Sequence, residues 1–194
     1  TRAGAHHPGS SKNSVNPHHH PRMSILTFSP SYLGSLISEA ERSPRRRQFR
    51  NVHRSHAEPC QRLFNAIEPD SYIRPHRHQI EPRDETLIAI RGLFALITFS
   101  EDGEIAEIVR FGSEKYGDSG YCSTGVELQA GTWHSLIALV PGSVLMEVKA
   151  GPFNPHAAKE FAPWSPEEGS AEASAYVAGL FRAVEAAADI SSAG

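Results

Sequence analysis

From Gln61 to Lys149 the chain is a series of short β-rich runs broken by Gly, Pro and Asp turn signals, and none of them carries a helical period. The runs predict strands at 61–68, 71–77, 86–91, 93–100, 104–111, 125–129, 133–140 and 143–149. Asp102-Gly103 marks a hairpin, and Pro141-Gly142 a second turn between strands. Strands this close together leave no room for crossover helices, which excludes a parallel α/β sheet. The expected fold is mainly β, a single jelly-roll barrel with a short N-terminal and a C-terminal helix.

The flanks read differently. Residues 1–22 are rich in Gly, Pro, Ser and Asn, hold five of the eleven histidines, and have too little apolar content to build a core. They are expected to be a disordered His-rich tail preceding Met23, and they lack the apolar stretch of a signal peptide. Residues 23–59 predict a helix capped at Ser31 and stopped by Pro44, followed by a basic arm of Arg42, Arg45, Arg46, Arg47, Arg50 and Arg54. That arm reads as a solvated run or as an anion-binding element, since guanidinium forks pair with carboxylate and phosphate. Residues 60–152 form the barrel. Residues 153–194 form a Pro-punctuated loop and an Ala-rich helix over 171–189, with Tyr176, Val177, Leu180, Phe181 and Val184 on one stripe.

Composition excludes several classes. A net charge of −3 with 21% charged residues is not that of a general nucleic-acid binder. No apolar run is long enough for a membrane helix. Cys60 and Cys122 are too few for a disulfide scaffold and lack ligand spacing, which points to a reducing, cytoplasmic setting while leaving a single bridge between them open.

The chemistry concentrates in two stretches. In Pro75-His76-Arg77-His78 the two histidines project from one face of an extended strand, so their imidazoles can converge on one ion. Glu85 opens the next run and can return beside them, with Glu81 and Asp84 as rival carboxylates. Further on, Gly131-Thr132-Trp133-His134 supplies a tight turn and a third imidazole. Three neutral imidazoles and a carboxylate suit one divalent transition metal: Fe, Mn, Ni, Zn or Cu. Asn51 and His53 alternate onto one face, as do Tyr72, Arg74 and His76. An inward arginine near a cation calls for an anion. Glu147 and Lys149 also share a face, as a buried pair or as an exposed ladder pair.

The pattern G…HxH…E…G followed by GxxH resembles the two-part signature of the cupin superfamily. Here the gap between His78 and Glu85 is longer than in that signature, Gln129 stands where a proline is usual, and Ala138 where an asparagine is usual. The segments Pro44-Arg45-Arg46-Arg47, Asn51-Val52-His53, Gln61-Arg62-Leu63-Phe64-Asn65, Ser71–His78, Trp133-His134-Ser135, Glu147–Pro152 and Lys159–Trp164 together resemble the WbuC family. That likeness spans roughly 25–168 and implies a small cupin-fold metalloprotein linked to O-antigen or other surface-polysaccharide biosynthesis.

The metal set His76, His78, Glu85 and His134 therefore suggests chemistry on a sugar, a sugar nucleotide or a small carboxylate. The reaction would be a metal-dependent isomerisation or epimerisation. The alternatives are Fe(II)-dependent oxygenation and a non-catalytic, metal-dependent binding or regulatory module. His53 is the candidate proton-transfer residue, with Tyr72 behind it. Asn51, Arg74 and Lys149 are candidate substrate contacts. The expected partner is a small anionic or sugar ligand, and the apolar strands over 86–99 suit a homodimer through a sheet edge or face.

Overall fold

A computed structural model describes residues 25–119, 123–155 and 159–192. The expectations for the His-rich tail and for Cys122 lie outside the described residues. The element order is α1 (Pro30–Arg42), β1 (Arg47–Asn51), β2 (Cys60–Ile67), β3 (His76–Arg77), β4 (Glu85–Arg91), β5 (Leu93–Phe99), β6 (Ile105–Gly112), β7 (Gly125–Leu128), β8 (Trp133–Ala138), β9 (Ser143–Ala150), β10 (Glu160–Phe161) and α2 (Ala171–Ser192).

The strands form two five-stranded sheets, β1-β2-β9-β4-β7 and β10-β3-β8-β5-β6, paired antiparallel throughout. The chain passes between them at tight turns. Gly92, at φ 85°, carries it from β4 to β5, and Gly142, at φ 66°, from β8 to β9. Gly103, at φ 89°, closes the β5–β6 hairpin within the second sheet. This is the jelly-roll arrangement that the strand spacing predicts.

Alternation sorts each strand's side chains. One set meets between the sheets: Ile67, Leu87, Phe94, Leu96, Leu136 and Leu145 pack there with Phe111, whose ring stacks on Phe94 at 5.3 Å. The opposite faces are covered by helices. α1 lays Leu36, Ile37 and Ala40 over Phe64, Ala66 and Val144 of the first sheet. α2 lays Leu180 and Val184 over Ile97, Trp133 and Ile137 of the second. β8 is buried along its whole length because both its faces are covered. Each large side chain on these stripes contributes roughly 1.5–3 kcal/mol by leaving water.

Most bounds shift by one to three residues, and three departures from the sequence reading go further. The α1 cap is Ser29, whose side chain accepts the Tyr32 amide at 3.2 Å, with Pro30 in the first helical turn; Ser31 lies inside the helix. Part of the basic arm is a strand, for β1 pairs with β2 along its length at the edge of the first sheet. The run at 71–77 narrows to His76–Arg77, because the chain before it follows an irregular path. Cys60 is a free, exposed thiol. Among the described residues, no helix is long and apolar enough to cross a membrane.

Candidate metal centre and the adjoining cavity

β3 is two residues long, yet it sets the site. His76 lies directly opposite His134 of β8, and their ring centroids are 4.3 Å apart. His78, two residues on, adds its ring at 5.3 Å from His76 and 5.7 Å from His134. All three histidines are buried, and one potential ligand nitrogen from each falls within 4.8 Å of the others.

Local backbone orients two of the rings. His76 Nδ1 lies 2.9 Å from the carbonyl oxygen of Arg74, and His134 Nδ1 lies 2.9 Å from that of Thr132. With the proton on Nδ1 donated to a carbonyl, each Nε2 keeps its lone pair, the arrangement usual for metal-binding imidazoles. Burial lowers the pKa of His76 well below the ordinary value and that of His134 to about 4. Both rings are therefore neutral and ligand-competent near pH 7.

Glu85 opens β4 opposite Lys149 of β9. Its Oε1 lies 3.1 Å from His78 Nε2, and its Oε2 lies 3.6 Å from His134 Nε2. Burial by itself would raise the Glu85 pKa, but the His78 contact and the charge of Lys149 hold it well below the usual carboxylate range. The rivals are engaged elsewhere: Glu81 pairs with Arg83, and Asp84 accepts the Ala130 amide. The structure thus brings together His76, His78, His134 and Glu85. This donor set, with two imidazoles held by carbonyls, fits a divalent transition metal.

A cavity of about 510 Å³ adjoins the centre. The histidines lie behind its wall, which Lys149 links to them by reaching Glu85 at 2.9 Å and Glu147 at 2.6 Å. Asn51, His53 and Arg74 also line it. His53 Nδ1 sits against the Arg62 main chain, 3.1 Å from N and 2.9 Å from O, and its buried Nε2 has no partner among the described residues. Arg74 donates to Ser165 Oγ at 3.1 Å and to Ala162 O at 3.3 Å, and lies over the Phe161 ring.

Tyr72 is placed elsewhere. It packs against Ala173 and Val177 of α2, its hydroxyl donates to Pro166 O, and it does not line the cavity. The backbone between 71 and 75 is not a regular strand, so the alternation that would have turned Tyr72 inward with His76 does not hold.

Sequence reasoning missed two wall residues with charge, Lys159 and Glu168. Glu168 takes hydrogen bonds from both Arg45 and Arg47, so that part of the basic arm meets a carboxylate of its own chain. The alternation Lys159-Glu160-Phe161 was the available signal for Lys159. β10, which begins just after it, is too short to register as a strand.

A family profile described as a domain of unknown function, DUF6016, matches residues 28–111. No curated protein matches the chain by sequence. Among solved structures the chain is similar to protein SO0799 from Shewanella oneidensis, at 12% identity and a TM-score of 0.47, covering 58% of this chain and 72% of that one. It is similar to KdgF from Halomonas sp. at 17% identity and a TM-score of 0.42, over 59% and 86% of the two chains. It is also similar to a variant of oxalate decarboxylase from Bacillus subtilis, at 19% identity and a TM-score of 0.43; the match takes in 59% of this chain but only 28% of that enzyme.

Proposed function

We propose that this chain is a mononuclear metal-binding cupin of the WbuC type. On this reading it acts on a sugar, a sugar nucleotide or a small carboxylate in surface-polysaccharide metabolism. The observation that carries the metal reading is the buried triad His76, His78 and His134, two of its rings held by carbonyls and Glu85 at its side. The polysaccharide setting comes from the sequence resemblance.

A divalent ion held by these four residues would supply Lewis acidity toward a carbonyl or hydroxyl oxygen of the substrate. The chain's own residues do the rest. The carbonyls of Arg74 and Thr132 keep two Nε2 atoms available, and Lys149 keeps Glu85 ionised. His53 lines the cavity with one ring nitrogen unpartnered, which suits it to move a proton. Asn51, Arg74 and Lys149 stand where substrate polar groups would meet the wall.

Metal analysis tests this reading on the full chain with His6, His7, His18, His19 and His20 replaced by Ala, which removes adventitious binding by the tail. About one divalent ion per chain is expected to persist, and to be lost in the further variants His76→Ala and His134→Ala. Loss of all metal with the tail histidines alone would refute it. Turnover of nucleotide sugars and hydroxy acids, screened with and without air, then separates isomerisation from oxygenation.

A further inference from the structure

The cavity wall carries five basic side chains, Arg45, Arg47, Arg74, Lys149 and Lys159. Three of them are matched by carboxylates. Arg45 and Arg47 hold Glu168, and Lys149 holds Glu85 and Glu147. Arg74 makes only neutral contacts, to Ser165 and Ala162 and over a ring. Lys159 lines the cavity within electrostatic reach of Glu147 and Glu85, but among the described residues it has neither a hydrogen bond nor a close ion pair.

Strand pairing beside it and the cavity lining together place Lys159. β10 pairs with β3 as Glu160↔Arg77 and Phe161↔His76. Residues directly opposite in an antiparallel pair project from the same face. Glu160 and Arg77 form an ion pair on one face, while the Phe161 ring lies 6.4 Å from His76 on the other. Lys159 stands one residue before this pairing, two from Phe161, and lines the same cavity as Phe161. Glu147 and Glu85 act on the Lys159 ammonium from a distance, but no described carboxylate pairs with it, which leaves its donors available to an anion entering the cavity.

We infer that Lys159, with Arg74 on the same cavity wall, is an anion-recognition subsite that anchors the carboxylate or phosphoryl group of a small ligand. The ligand class is a compact acid with a second oxygen donor close to the acid group, such as a hydroxy acid or a phosphorylated polyol. Recognition of the acid group stands on the cavity alone; assigning the second oxygen to the metal centre rests on the function proposed above.

Isothermal titration of the full chain with glycolate and, separately, with inorganic phosphate tests the subsite, with metal content measured on the same samples. Millimolar binding of at least one acid is expected, about tenfold weaker in Lys159→Met and within about threefold of the parent in Lys159→Arg. Glycolate alone would assign a carboxylate, and phosphate alone a phosphoryl group. Lys159 makes no hydrogen bond or ion pair to another side chain among the described residues, so a folded Lys159→Met protein with unchanged metal content is expected. Acid binding through Lys159 in a chain that holds no metal would leave this inference standing and overturn the metal reading. A metal-loaded chain that binds neither acid, or a Lys159→Met protein that binds them like the parent, would overturn this inference alone.

Discussion

The Lys149 ammonium lies 2.9 Å from a carboxylate oxygen of Glu85, so the residue best placed to complete a metal site is also half of a buried ion pair. The lysine helps keep Glu85 charged, and Glu147 and Glu85 together hold the Lys149 pKa above its ordinary value against the opposing effect of burial. Removing one partner of such a pair strands the other. Lys149→Met is expected to destabilise the chain by about 3 kcal/mol. In thermal unfolding that is a fall in Tm on the order of 10 °C. Added divalent metal should then raise the Tm of the variant more than that of the parent, since an ion would take over the neutralisation of Glu85. Equal shifts in both proteins would show that the carboxylate is not a ligand.

Glu168 gives the fold an acid-sensitive tie. Burial pushes its pKa up, but the hydrogen bonds from Arg45 and Arg47 outweigh that and hold it below the usual carboxylate range. A lowered carboxylate pKa stabilises the folded state above the unfolded pKa and loses that contribution as pH falls through the folded value. The parent should therefore melt higher than Glu168→Gln at pH 7, and the gap should close as pH falls below about 4. Melting curves across a pH series check this; a gap independent of pH would assign the difference to something other than the clamp.

The C-terminal helix is part of the barrel's packing. Leu180 is 4% exposed and sits on the outer face of the second sheet with Val184, Ile137 and Trp133. Leu180→Ala should cost about 3 kcal/mol, measured by denaturant unfolding. A loss below about 1 kcal/mol would mean that the helix contributes little to the barrel.

Gly92 admits no side chain. At φ 85° it already occupies the left-handed region, and a Cβ there would lie 2.1 Å from Ser143 Oγ. Ser143 is buried and bonded to Val140 O, so it cannot swing clear without losing that bond. Gly92→Ala is expected to destabilise by at least about 2 kcal/mol, because strain and overlap add. Near-parental stability would show that the β4–β5 turn can rearrange.

The histidine geometry was legible because it depends on local rules. Alternation puts His76 and His78 on one face, and the turn at Gly131 delivers His134 at the start of its strand. The body of the barrel was legible for the same reason, since its strands carry apolar alternation between clear turn residues. β1 escaped notice because an edge strand reading Arg-Gln-Phe-Arg-Asn has little apolar alternation. Glu85 stood out from Glu81 and Asp84 because it opens the next run, and the structure adds a reason: Arg83 and the Ala130 amide engage the other two. The Glu168 clamp was beyond local reading, since 121 residues separate it from Arg47.

β10 joins the second sheet only through β3, by two residue pairs, and it follows every other strand in the chain. That position imposes an order of events during synthesis, when a chain folds as it emerges from its N-terminal end. All four proposed metal ligands have been made by residue 134, whereas Lys159 arrives later with the last strand. An ion could thus be taken up while the mouth of the barrel still lacks its acid-binding lysine, and the selectivity of the finished pocket would play no part in choosing the metal.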